Sequence, residues 1–205
     1  MLKHGTTTVE IKSGYGLSKE SELKILRVIK RLSENHSITI IPTFLGAHDI
    51  PVEFKDERDK YVQEMIDLLP QISKDKLAKY CDVFCDKLAF TPSEAEKIFL
   101  AAKKNGFSLR IHSEQTSHTG ATKMAIANQV VSAEHLDYVN EEDISLLSNS
   151  KTIAVLLPGV TYHCCDLISK SDQNQTSITP ENKGIKKKNF LAPKFKVNLF
   201  FSKKK

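Results

Sequence analysis

No apolar run in these 205 residues approaches the roughly 20 positions needed to cross a bilayer. The opening Met1-Leu2-Lys3-His4-Gly5-Thr6 also lacks the apolar centre of a signal peptide. The cytoplasm is therefore the expected compartment, with no membrane partner. The Gly-rich first turn of a dinucleotide fold is missing, as is the Gly-Lys-Ser order of a phosphate-binding loop. Cysteine is scarce, and no Cys-x-x-Cys pair or second cluster exists to complete a zinc site. Cys81 and Cys85, in the period-2 run Cys81-Asp82-Val83-Phe84-Cys85, point to one face and read as buried reduced thiols; the adjacent Cys164-Cys165 receives no role. A basic body is absent too. The formal charge is +5, but from Asp166 onward ten lysines oppose Asp166, Asp172 and Glu181, giving +7 and leaving −2 for residues 1–165. A solvated Lys-rich tail with no basic-aromatic groove argues against a nucleic-acid partner.

What is present is an ordinary globular composition, 40% hydrophobic and 27% charged, arranged as a repeated alternation. Strand-like runs are expected at 6–12, 38–45, 81–85, 107–112, 129–133 and 152–157. Between them, apolar residues recur at helical spacing, as in Leu23, Leu26, Ile29 and Leu32, or Tyr61, Met65 and Leu68. Helix starts are marked by Ser18 with Glu20 and Glu22, by Thr91-Pro92-Ser93-Glu94, and by Asn140 with Asp143. Such regular alternation predicts right-handed βαβ units and a parallel sheet. About six units are visible where a closed (β/α)₈ barrel has eight, so the expected architecture is α/β, a partial TIM-type barrel over 1–163, followed by an irregular Lys-rich tail over 164–205.

Three of the seven histidines stand where an apolar run stops: His48 after Thr43-Phe44-Leu45-Gly46-Ala47, His112 after Leu109-Arg110-Ile111, and His135 after Ser132-Ala133-Glu134. On parallel strands those imidazoles converge on the rim where α/β folds keep their chemistry, and a neutral imidazole suits zinc or ferrous iron. His4, His36 and His118 fall in helical or turn contexts and read as surface residues. Gly14-Tyr15-Gly16 breaks the first strand into a turn that presents one tyrosine, with glycines that admit positive φ and leave room for a ligand.

Several stretches are long and specific: Gly5-Thr6-Thr7-Thr8-Val9-Glu10-Ile11-Lys12-Ser13-Gly14-Tyr15-Gly16-Leu17, Thr43-Phe44-Leu45-Gly46-Ala47-His48, Cys81-Asp82-Val83-Phe84-Cys85, Ser132-Ala133-Glu134-His135-Leu136 and Ala154-Val155-Leu156-Leu157-Pro158-Gly159. In order and spacing they resemble the imidazolonepropionases, amidohydrolase-superfamily enzymes of histidine breakdown. The resemblance implies a metal-dependent barrel that hydrolyses the ring amide of 4-imidazolone-5-propanoate to N-formimidoyl-L-glutamate, using one divalent metal, zinc or iron, with a homodimer as a compatible assembly. It implies that Tyr15, His48 and Gln115 contact substrate, that His112 binds the metal, and that His135 is catalytic beside the metal-bound water. Gln115 stands where the family often has Glu, and an amide does not titrate near neutral pH. The family's His-X-His metal pair and its eighth-strand Asp have no counterpart here. The expectation is therefore a chain whose activity is impaired; the alternative is a non-catalytic barrel remnant acting as a binding or assembly partner.

Overall fold

The computed structural model describes residues 1–162. Six strands, β1 (Thr8–Lys12), β2 (Thr39–Ala47), β3 (Tyr80–Cys85), β4 (Ser108–Ser113), β5 (Ser132–His135) and β6 (Ile153–Val155), pair in sequence order, and every pairing is parallel. The helices α1 (Lys19–Asn35), α2 (Arg58–Lys74), α3 (Pro92–Lys104), α4 (Ala121–Ala127) and α5 (Glu141–Ser148) carry the crossovers. The sheet curls into a half-barrel, the partial TIM-type architecture expected from the alternation. No helix among the described residues is long and apolar enough to cross a membrane. The Lys-rich stretch 164–205, with Cys164 and Cys165, lies outside the described residues.

The sequence's start signals operate as capping groups. Ser18 accepts from the amide of Ser21 at the head of α1. Thr91 and Glu94 close a reciprocal capping box with Pro92 in the first turn of α3, and Asn140 and Asp143 do the same for α5. Glu94 has a second use: both its oxygens accept from Arg58 at 2.9 and 2.8 Å, tying α3 to the start of α2.

One set of alternate strand positions faces the helices. Cys81, Val83 and Cys85 of β3 and Leu109 and Ile111 of β4 are fully or almost fully buried, against Leu26, Met65, Leu69, Ile72, Ile98 and Phe99 of the helical shell. Each such apolar side chain contributes roughly 1.5–3 kcal/mol. The two thiols are free and packed in this layer, and burial drives both toward the protonated form, that of Cys85 with a pKa pushed up to about 12.

The edges of the elements depart from the expectation where side chains or turns intervene. The fifth strand is not 129–133 but Ser132–His135, because Gln129, with φ +58°, and Val130, whose amide reaches Ala125 O, still belong to the end of α4. The second strand continues past Leu45 to Ala47 through an irregularity in its pairing with β3. Gly46 lies at that irregularity because a Cβ there would meet the Met65 sulfur at 2.5 Å and the Phe44 ring at 2.6 Å. Its carbonyl is satisfied instead by the fully buried Tyr61 hydroxyl, at 2.9 Å.

Tyr61→Phe leaves that buried carbonyl without its donor while preserving the ring packing. The expected loss is about 1–2 kcal/mol, read as a lower urea midpoint for the full chain with an unchanged slope.

Candidate functional site

The face of the sheet turned away from the helices is lined by charge. Glu10 and Lys12 of β1, Asp82 and Phe84 of β3, Arg110 and His112 of β4, and Ser132 and Glu134 of β5 alternate with the buried apolar set. Strand register places Asp82 beside Arg110 and Ser132, and one level higher Phe84 beside His112 and Glu134. The Lys12 ammonium reaches across the sheet to Asp82 and Glu134, at 2.7 Å each, with Glu10 at 3.8 Å. Burial alone would lower its pKa, but the three carboxylates outweigh that and hold it above the ordinary lysine value. Asp82 shows the converse balance. Burial would raise it, yet the charges and hydrogen bonds of His112 and Lys12 hold it well below the usual carboxylate range. Arg110 completes the floor, with its guanidinium 4.1 Å from the Tyr80 ring centroid, a hydrogen bond to Ser132 Oγ at 2.8 Å, and Nε 3.3 Å from Glu10.

Above this floor the strand ends turn sharply, and buried carboxylates set those turns. Glu22, fully buried on α1, accepts from the amides of Gly14, Gly16 and Leu17 at 2.8–3.3 Å and so shapes the β1–α1 turn that carries Tyr15. Gly14 has φ +104°, and a Cβ there would meet Leu45 O at 2.5 Å and His48 Cβ at 2.9 Å. Gly16 does not have a positive φ; Leu17 does, and Gly16 is needed because α1 passes too close for a side chain. Asp86, just after β3, accepts from the amides of Gln115 and Thr116 at 2.9 Å each and from the hydroxyls of Thr116 and Ser117. Glu114 turns under the same loop with φ +52° and caps α4 through the amides of Thr119 and Thr122. At the end of β5, His135 and Leu136 are both left-handed, with φ +75° and +61°.

These turns bring four of the five expected site residues together. Tyr15 and His48 have ring centroids 5.0 Å apart, His48 and Phe84 5.9 Å, Phe84 and His112 6.2 Å, and His112 and His135 5.3 Å, forming a continuous row along the rim. Gln115 follows three residues after His112 in the loop pinned by Asp86. His118 is half exposed, as expected, but it also pairs with Asp143 at 2.9 Å. Burial lowers the His48 pKa, and burial together with the nearby charges of His112 and Lys12 lowers that of His135 to about 3. Both are neutral imidazoles at neutral pH, and the buried Nδ1 of His135 has no hydrogen-bond partner among the described residues. Lys12, Asp82, Glu134 and Phe84 were not singled out from sequence. The signal was the opposite phase of the same strands whose apolar phase identifies Cys81, Val83 and Cys85.

Asp82, His112 and Glu134 bring donor atoms within 4.8 Å of one another, the composition of a metal site. His112 fits such a role: its Nδ1 is held by Asp82 at 3.1 Å and its Nε2 faces Glu134 Oε2 at 3.6 Å, the arrangement by which a carboxylate orients a metal-binding imidazole. The carboxylates fit less well, since Lys12 already pairs with both. This cluster therefore supplies one committed donor nitrogen, where catalytic metal sites normally use three protein ligands.

No family model matches the chain. Curated relatives do. An imidazolonepropionase of Thermoanaerobacter pseudethanolicus is 46% identical over 163 residues, and one of Shewanella piezotolerans is 45% identical over the same length. Each alignment takes in 79% of this chain and 39% or 40% of the relative, so the chain spans about two fifths of the curated relatives it matches. Among solved structures, a guanine deaminase from C. acetobutylicum superposes with a TM-score of 0.58 at 12% identity, covering 83% of this chain and 45% of that one. An Arabidopsis N6-mAMP deaminase gives 0.59 at 14% identity, covering 80% and 54%. At such identities these two show a shared barrel fold.

Removing the bridging ammonium tests the electrostatic reading of the floor. Lys12→Ala takes one of two partners from the buried Asp82, leaving His112, and should destabilise the full chain by about 1–3 kcal/mol. Because the folded pKa of Asp82 lies below the ordinary 3.8, its contribution is complete above that value and is lost as pH falls through the folded one. Acid titration of stability should accordingly be shallower in Lys12→Ala than in the wild type.

Proposed function

We propose that this chain, homologous over about four fifths of its length to the imidazolonepropionases, carries their chemistry: metal-dependent hydrolysis of the ring amide of 4-imidazolone-5-propanoate to N-formimidoyl-L-glutamate. The observation that carries the reading is the row Tyr15, His48, His112 and His135, gathered on the carboxyl-terminal rim of a half-barrel from four different strand ends. The metal is one divalent ion, zinc or iron, held in part by His112. When bound, it would polarise the lactam carbonyl and bring a water toward a pKa of about 7.

The protein's own groups supply the rest. Asp82 fixes the His112 ring so that Nε2 faces the lumen, and His112 and Lys12 together keep Asp82 ionised. Tyr15 and the neutral His48 orient the substrate ring, and the backbone of Gln115 is fixed at the mouth by Asp86. His135, neutral and buried, is suited to donate a hydrogen bond to the developing oxyanion; its lowered pKa disfavours the role of a base that stores a proton. The substrate is a small molecule and the compartment the cytoplasm, as expected of a metabolic hydrolase.

A second reading, a non-catalytic barrel remnant that serves as a binding or assembly partner, is favoured by one observation. Lys12 already occupies the carboxylates beside His112, leaving a single free donor nitrogen.

Loading the purified full chain with zinc or ferrous iron and following formation of N-formimidoyl-L-glutamate separates the two. On the hydrolase reading the chain retains metal and turns over, His112→Ala loses both, and His135→Ala lowers kcat about 100- to 1,000-fold. A chain that stays metal-free and inactive after loading would establish the remnant.

A further inference from the structure

Phe84 is an anomaly in the lumen. Its companions on that face, Lys12, Asp82, Arg110, His112 and Glu134, are charged or ionisable, whereas Phe84 is an apolar ring that packs in part against the core cluster and leaves the rest of its surface to the lumen. The other aromatic on the same face of β3, Tyr80, is accounted for, since the Arg110 guanidinium covers it at 4.1 Å. Among the described residues no cation lies over the Phe84 ring. It meets His48 at 5.9 Å and 31° and His112 edge-on at 6.2 Å and 69°, both through neighbouring rings in the rim row. It also sits at the register level of His112 and Glu134, at the height where the reacting bond must lie if His112 addresses it.

We propose that Phe84 is the wall against which a planar five-membered heterocycle stacks, between His48 and His112, and that it selects cyclic over open-chain substrates. This rests on the hydrolase reading above and deepens it. A flat ring offers an apolar face to Phe84 and polar edge atoms to the flanking imidazoles, so one residue with no hydrogen-bonding capacity sets the plane in which the polar groups act. An acyclic amide with the same carboxylate tail presents no such face and gains nothing from the wall.

The test uses the full chain and two stable probes, imidazole-4-propanoate, which has the ring, and glutarate, which has only carboxylates on an open chain. In the wild type, the imidazole protons of the first probe should move upfield in NMR spectra and show cross-relaxation with the Phe84 ring. Phe84→Leu should weaken imidazole-4-propanoate about five- to tenfold, leave glutarate unchanged and abolish the upfield movement, whereas Phe84→Tyr should retain all three wild-type properties. Equal affinity of Phe84→Leu and wild type for the ring probe, or a wild-type complex without cross-relaxation to Phe84, overturns the wall and leaves the hydrolase reading standing. If the wild type binds neither probe, the hydrolase reading falls and the wall with it.

Discussion

The lumen of this half-barrel is organised around the Lys12 ammonium, with the Arg110 guanidinium beside it. Three carboxylates, Glu10, Asp82 and Glu134, come from three strands and face one another across a space that the sheet closes on one side. Without Lys12, Arg110 and His112 among them they would repel, and burial would favour the protonated form of Asp82. Lys12 lies within 2.7 Å of two of them, so the strand positions that carry charge are also the positions that hold the curl of the sheet. His112 inherits its orientation from this arrangement, because the Asp82 carboxylate that holds its Nδ1 is kept ionised by His112 itself and by Lys12 together. The electrostatics of the floor and the aim of the rim imidazole are thus one problem with one solution.

A second layer of carboxylates works on the backbone. Glu22, Asp86 and Glu114 each accept from several main-chain amides at the strand ends. Left-handed residues that would be costly alone, such as Glu114, His135 and Leu136, occur in the same region. The tolerated strain re-aims side chains: where an unbroken strand would send successive residues to opposite faces, the turn after Glu134 lets Glu134 and His135 both approach His112.

The fold was legible because its two periodicities are clean. Leu23, Leu26 and Ile29 announce α1, the capping pairs Thr91/Glu94 and Asn140/Asp143 give helix starts, and the apolar ends before His48, His112 and His135 locate the rim. The end of α4 was harder, since Gln129 and Val130 look like strand residues and are held in the helix terminus by a left-handed turn that composition does not reveal. In the site, histidines stood out because each ends an apolar run. Lys12, Asp82 and Glu134 did not, because each is one polar residue in a strand, and their meaning lies in a register that unites positions as far apart as 12 and 134. Glu22 was legible as an acid favouring the start of a helix, but its folding back onto Gly14, Gly16 and Leu17 depends on the path of the preceding turn.

The Asp86 carboxylate has a mechanical corollary. The loop that leaves His112 is anchored to the end of the neighbouring strand rather than to its own, and the amides of Gln115 and Thr116 share one oxygen of that carboxylate as acceptor. With the hydroxyls of Thr116 and Ser117 on the other oxygen, four bonds converge on one side chain, so the mouth beside β4 is fastened at a single residue, and the loop and its anchor belong to different βα units. The shape of the rim on that side therefore depends on the end of β3, through a residue that belongs to none of the rings it helps to frame.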